Sequence, residues 1–468
     1  MAVQVKDDLY ISQRIDRLPF TNYYLLLIIA AGAGFFFDIF DIDTMSVSAA
    51  VISKTFHMVP LITTLTIAMA FIGMFFGSIL SGRLADKYGR KRLFIITLLV
   101  IAFGSFLTFL STTVAELWLF RFITGFGIGG DLPVIWAYLG ELSPSKFRGK
   151  FFGYAMIIGV LSLPVVGLSG TALISAFPIN GWRYVFLLGA LIAFIVWPLR
   201  ALAPESPRWY LSRNRRKDAD AAMTGIEEAV HRRTHRPLPS YSKDVKYSIG
   251  EYKAPLSELF RKDVIGSTIV ASLLWIFQTW GFYGFTAFLP LILIAKGYSL
   301  VHAIFFTAIG WAGGFLGPVL VSVISDKYQR KYLLSTYAFF AALFIFLMGL
   351  TPPNSAVEVV LLAFLVNIFI QAWAATLYIY VPEIFPARVR ASGGGLANGL
   401  GRGFNVVGLL VIGVALAGIP VAQLSFTAVS WLVCLIIIAV WGIKTSRRTL
   451  EDITEKKVIS GRGRRSSK

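Results

Sequence analysis

Charge is scarce in this chain. Only 15% of its 468 residues are Asp, Glu, Lys or Arg, while 56% are apolar and the mean hydropathy is +0.71. Soluble domains carry about 25% charged residues, so the balance excludes a soluble enzyme and a disordered chain alike. Cysteine is nearly absent: Cys434 stands alone inside an apolar run, and no intramolecular disulfide can form. Residues 1–20 are polar and hold no apolar h-region of a cleavable leader, so the first span is expected to anchor itself. The long apolar runs are continuous and lack the alternation of barrel strands, which excludes a β-barrel. No nucleophile–base constellation and no catalytic motif is visible. The expectation is a protein that is not an enzyme and needs no cofactor.

What the chain does have is apolar runs long enough to cross a bilayer. They recur near 23–50, 61–84, 93–111, 115–140, 150–176 and 183–203, and again near 265–294, 301–324, 332–351, 356–381, 390–416 and 421–443. A helix needs about 20 apolar residues to cross the hydrocarbon, so each run predicts one transmembrane helix. The polar gap between the two sets of six predicts four segments: an N-terminal half (1–203), a linker (204–263), a C-terminal half (264–443) and a tail (444–468). Ala219 to Val230 reads as an amphipathic helix within the linker.

The formal net charge is +19, and its basic residues gather in alternate loops: Arg83, Lys87, Arg90, Lys91 and Arg92; Lys146, Arg148 and Lys150; the linker; Lys327, Arg330 and Lys331; Arg388 and Arg390. Basic loops stay in the cytoplasm. The expectation is a multi-pass protein of the cell membrane, with the linker and both termini cytoplasmic. The basic tail Gly461 to Lys468 reads as an ordinary cytoplasmic end, with no nucleic-acid partner. A monomer is expected.

An internal repeat is legible. Asp86-Lys-Tyr-Gly89-Arg90-Lys91 returns as Asp326-Lys-Tyr-Gln329-Arg330-Lys331, at an offset of 240 residues. Glu141-Leu-Ser-Pro144-Ser-Lys-Phe-Arg148 returns as Glu383-Ile-Phe-Pro386-Ala-Arg-Val-Arg390, at an offset of 242. Two matches at nearly one offset make each set of six helices a copy of one unit. Parallel repeats of this kind frame a central solute site at the midplane.

These motifs carry a resemblance. Gly82 to Lys91 resembles the loop signature of the major facilitator superfamily. Arg121 to Gly130, with Glu141, Arg148 and Gly149, resembles the fourth-span signature of its sugar-porter-related group. Pro204-Glu-Ser-Pro-Arg208-Trp209 and Pro382-Glu383-Ile-Phe-Pro386-Ala-Arg388-Val-Arg390 resemble that group's later marks. In the seventh span this chain keeps one Gln, Gln278, and sets Tyr283 near the Asn of sugar porters. Phe36 to Asp41 and Gly127 to Pro133 resemble phosphate–proton and metabolite–proton symporters. The metabolite–proton symporter-like branch fits best. The resemblance implies an all-α integral membrane fold of twelve helices in two pseudo-symmetric halves, the major facilitator fold.

Ionisable residues inside spans mark pathways and proton relays by default. The sequence offers Asp38, Asp41, Asp43, Arg121, Asp131 and Arg402. Asp38 and Asp41 stand three apart on one helix face, where burial and like charge favour a proton-binding carboxyl. The resemblance pairs Arg121 with Asp41. Asp131, just before Pro133, reads either as a coupling carboxylate or as an acceptor of backbone donors at a proline break. Asp43 is the weaker candidate. Proton-coupling candidates are therefore Asp38, Asp41, Arg121 and Asp131. A buried guanidinium at Arg402 suits a carboxylate or phosphate, or is a structural partner for a carbonyl. Aromatic and amide residues in spans seven and ten suit a polar solute. With Arg402, the solute-binding candidates are Gln278, Trp280, Tyr283, Asn367, Gln371 and Trp373; Tyr380 reads best as an interface-belt residue. Asp86, Arg90, Glu141, Arg148, Asp326, Arg330, Glu383 and Arg390 look like the family's gating network, or serve topology alone. Gly125, Gly127 and Gly129 lie within a span and read as helix-packing residues, not as a dinucleotide loop. His231 and His235 make a weak case for metal, and no metal site is expected.

The function expected is secondary active transport of a small polar organic solute, sugar or organic acid, by alternating access with proton symport. A facilitative sugar uniporter and a phosphate–proton symporter remain open. A transporter-like receptor is the alternative of another class, and the short tail disfavours it.

Overall fold

A computed structural model describes residues 10–234, 237–240, 256–325, 327–352, 355–386 and 389–445, and the side chains of all of these but 83, 148 and 391. The described residues are mostly helical, with no strand, and twelve stretches among them are long and apolar enough to cross a membrane. A short helix α1 (residues 10–16) precedes them. The first four spans are α2 (Asn22–Thr55), α3 (Pro60–Tyr88), α4 (Arg90–Leu110) and α5 (Val114–Leu142). The fifth joins α6 (Arg148–Val160) to α7 (Ser162–Ala176), and the sixth is α8 (Gly181–Leu202). Helices α9 (Pro207–Ser212) and α10 (Arg216–Thr234) occupy the linker. The last six spans run through α11 (Ile265–Thr286) and α12 (Leu289–Ala295), α13 (Leu300–Ala312) and α14 (Leu316–Ile324), α15 (Arg330–Leu350), α16 (Ala356–Glu383), α17 (Arg390–Leu410) and α18 (Pro420–Trp441).

Local chemistry sets several boundaries. Thr113 caps α5 through a reciprocal box: its side chain accepts the Glu116 amide at 3.2 Å, and Glu116 accepts the Thr113 amide at 3.1 Å. The run predicted as one seventh span breaks between Thr286 and Leu289, because Pro290 has no N–H for the carbonyl four residues back. The freed carbonyls find another donor. Ser46 Oγ on α2 donates to Thr286 O at 2.8 Å and Ala287 O at 2.9 Å. The small residues of α5 pack as read: a Cβ at Gly127 would press on Ile101 of α4, and one at Gly129 on the backbone at Met74 of α3.

The chain divides into two compact units. One comprises residues 1–42, 72–162 and 186–250; the other comprises 43–71, 163–185 and 251–468. In the second unit the far ends of α2, α3, α7 and α8 join the last six spans. There, Gly170 lies against Val47 and Ile304, and the rings of Phe71 and Tyr283 meet at 4.6 Å.

Candidate solute and proton site

In the first unit α2 brings its acidic residues against α4 and α5. Asp41 and Arg121 are each 1% exposed, and Arg121 Nη1 donates to Asp41 Oδ2 at 2.7 Å. Ser105 Oγ of α4 donates to the other carboxylate oxygen. The Phe186 ring covers the guanidinium, 5.3 Å from its carbon. Neutral and ionic donors thus converge on one carboxylate in a dry setting, where each hydrogen bond is stronger than in water. Asp38 lies one turn away on the same helix and is also buried.

Among the described residues the hydrogen bonds to Asp131 come from side chains, not from backbone donors. It forms a second buried ion pair, with Arg200 of α8: Nη1 meets Oδ1 at 2.7 Å and Nη2 meets Oδ2 at 2.6 Å. Thr97 Oγ1 also donates to Asp131, at 2.5 Å. Arg200 donates further to Phe94 O at 2.5 Å, and its guanidinium carbon sits 3.9 Å from the centre of the Phe94 ring. The sequence reading omitted Arg200, because a basic residue near a span end reads as an interface anchor. The available signal was that three apolar residues, Ala201-Leu202-Ala203, follow it. The pair also depends on Gly34, where any Cβ would overlap Arg200 Nη2. Gly34, Asp38 and Asp41 stand at i, i+4 and i+7, so one face of α2 meets both guanidinium groups.

In the second unit the aromatic and amide candidates lie on α11 and α16, and Arg402 lies on α17. Trp280 Nε1 of α11 donates to Phe404 O of α17 at 2.8 Å. The Trp373 and Trp431 rings meet edge to face at 5.2 Å. Asn367 turns its Nδ2 to Ala363 O of its own helix at 2.9 Å. Gln371 is buried, and Gln278 has a buried Oε1 with no hydrogen-bond partner among the described residues. Arg402 Nε donates to Asn398 Oδ1 at 3.1 Å, and Arg402 also bonds to Tyr378. Tyr380 is a correction: it is fully buried, and its hydroxyl accepts the Ile443 amide at 2.8 Å, so it is no interface-belt residue. Asp43 is buried too.

The loop charges sort into two sets. Arg90 meets Asp86 at 2.7 Å and Glu141 at 3.1 Å. Arg330 meets Glu383 at 3.3 Å and donates to Ser325 O at 2.8 Å. Arg390 opens α17. The side chain of Arg148, and Asp326 and His235 altogether, lie outside the described residues. Among the described residues no group of acidic, His and Cys side chains is placed to hold a metal.

Two motifs noted separately in the sequence prove to be one structure. Glu205 Oε1 accepts the amides of Arg90, Lys91 and Ser206 at 2.9–3.0 Å. It caps α4, whose own N-cap residue, Gly89, has no side chain and sits at φ 112°. Trp209 Nε1 and Arg213 Nη2 donate to Asp86 O at 2.9 and 2.6 Å. The Pro204 to Trp209 segment thus clasps the loop between α3 and α4.

Comparisons place this arrangement among known proteins. The family model described as "Sugar (and other) transporter" matches residues 26–456. The putative metabolite transport protein YyaJ of Bacillus subtilis (strain 168) is 33% identical over 445 residues, covering 94% of this chain and 96% of that protein. The niacin transporter NiaP of Acinetobacter baylyi is 28% identical, covering 94% and 98%. The inward open conformation of the xylose transporter XylE from E. coli superimposes with a TM-score of 0.73 at 19% identity, covering 93% of this chain and 100% of that one.

Proposed function

The chain belongs to the sugar (and other) transporter family, as a multi-pass solute transporter of the major facilitator fold, and on that premise we propose that it couples a small polar organic solute to protons. The observation that carries this reading is the buried Asp41–Arg121–Ser105 cluster on α2, α4 and α5. Arg121 Nη1, 2.7 Å from Asp41 Oδ2, is the ionic partner of this carboxylate. If α2 shifts against α5 as the protein changes its open side, that partner withdraws and the carboxyl takes up a proton. Binding and release of the proton then follow the access state. The relatives' names bring niacin and xylose into consideration, so organic acids and sugars are both candidate solutes. Within this reading each sequence half of six spans is one rocking body, residues 204–263 link them, and a monomer suffices. Both termini and the linker face the cytoplasm, because the basic loops do. The Arg90 and Arg330 pairs with Glu141 and Glu383 hold the cytoplasmic side in one of its two states.

Asp41→Asn fixes the neutral form. In proteoliposomes it abolishes accumulation driven by a pH gradient while solute exchange persists. Asp38→Asn is the neighbouring control. Accumulation by Asp41→Asn at the wild-type level, with the same pH dependence, removes Asp41 from the coupling step.

A further inference from the structure

The interior of the last six spans is almost without charge. Between the end turns of the helices from α11 to α18, Arg402 is the one side chain that carries a full charge. It is 6% exposed and rises from α17, where Asn398, together with Tyr378 of α16, orients its guanidinium. Asn405, three residues on, shares its helix face. Asn405 is completely buried, and neither its amide nitrogen nor its carbonyl oxygen finds a hydrogen-bond partner among the described residues. A buried polar group left so costs about 1–3 kcal/mol. Gln278 Oε1, on the adjoining α11, is likewise sealed and unpartnered. The wall beside Arg402 is aromatic: the Trp275 and Tyr378 rings meet edge to face at 5.2 Å.

The helix that carries these groups is built to shift. Seven of the 21 residues of α17 are glycine, and each Gly weakens a helix by roughly 1 kcal/mol relative to Ala. It runs directly into a π-turn over Val411–Ala415, an element that frequently marks functional sites. It packs on α11 through Gly401, where a Cβ would stand 3.0 Å from Trp275 O, and through Gly408, where a Cβ would stand 2.6 Å from the Trp280 ring.

We propose that Arg402 and Asn405 form a carboxylate subsite, and that the transported solute is a small organic monocarboxylate with a planar or aromatic body. The proposal rests on the transport reading above and narrows its solute class. A guanidinium offers parallel donors that match the two oxygens of a carboxylate. The Asn405 amide supplies a further donor beside it, and Gln278 Oε1 accepts from a polar group on the body. A sugar brings no charge to meet Arg402. Inorganic phosphate brings up to two negative charges to one cation and has no surface for the Trp275 and Tyr378 rings.

The test is equilibrium binding to the full-length protein in nanodiscs, with benzoate, its neutral isostere benzamide, xylose and inorganic phosphate. Benzoate binds, and benzamide binds at least about tenfold more weakly, the loss expected for a missing charge-assisted pair. Arg402→Gln weakens benzoate by a similar factor without changing the weak benzamide affinity, and Arg402→Lys recovers part of the loss. Absence of benzoate binding overturns the proposal, as does equal affinity for benzamide, tighter binding of xylose or phosphate, or an Arg402→Gln protein that keeps its benzoate affinity. Benzoate binding without movement of benzoate across proteoliposome membranes sustains the subsite and refutes the transport reading instead.

Discussion

Gly34 is conspicuous for what it lacks. The Asp131–Arg200 pair is wholly buried, and Arg200 Nη2 occupies the space that any side chain at position 34 would fill. A buried pair is a weak source of net stability, but breaking one strands a charge and costs about 3–5 kcal/mol. Arg200→Met should therefore lower the thermal stability of the detergent-solubilised protein markedly, and Gly34→Ala should do so by displacing the guanidinium. The double variant Arg200→Met, Asp131→Leu should recover most of the loss, since no charge remains unpaired. A double variant no more stable than Arg200→Met would show that the pair supports the fold by more than mutual neutralisation. Asp131 was legible as an ionisable residue in a span. Its partner was not, because 69 residues separate the two and only the packing of α8 on α4 and α5 joins them.

Helix α1 shows how short elements outside the spans are held. Arg14 is nearly buried against α10, with Asp220 at 3.0 Å and Glu227 at 2.7 Å, and Arg17 meets Glu227 at 2.6 Å. Asp16 accepts the Ser145 amide at 2.7 Å, tying the same segment to the turn before α6. Partial burial by itself would raise the Glu227 carboxyl, but hydrogen bonds from Arg14 and Arg17 and their charges outweigh it and hold its pKa below the ordinary glutamate value. A lowered carboxyl contributes stability above its unfolded pKa and loses it as the pH falls through the folded one. The dock should accordingly stay closed at neutral pH and open only in acid, below the usual glutamate range. Amide exchange across residues 10–16, corrected for its intrinsic pH dependence, should show this release. Glu227→Gln should loosen the dock at neutral pH. Unchanged protection in that variant would mean that α1 is held by its apolar face, through Ile11 and Ile15, and not by charge. The sequence showed α10 as an amphipathic stretch. That α1 is its partner was hidden, because a helix of seven residues carries too little periodicity to read.

The charge moved in one transport cycle follows from the solute. One monocarboxylate carried with one proton moves no net charge, whereas a neutral sugar carried with a proton moves one. A membrane potential is worth about 2.3 kcal/mol per 100 mV for each charge moved. Initial uptake should thus respond to a pH gradient and stay indifferent to a potassium diffusion potential set with valinomycin. Uptake that accelerates under an inside-negative potential would indicate a neutral solute or a second proton.

The sequence sets the solvent this protein lives in, the number of its spans and the duplication within it. Those properties depend on summed hydrophobicity over about 20 residues and on repeated short motifs, both of which are local. It also pointed to Asp41 and Arg402, because a charge in an apolar run is conspicuous wherever the run packs. Tertiary structure alone decided the partnerships. It set Arg200 on Asp131, Glu205 on the start of α4, and Ser46 on the carbonyls released before Pro290. It buried Tyr380 and left Asn405 without a partner among the described residues. The three pairings reach across tens to hundreds of residues, because the hydrogen-bond and charge requirements of a dry interior are met by whichever group the packing brings within reach.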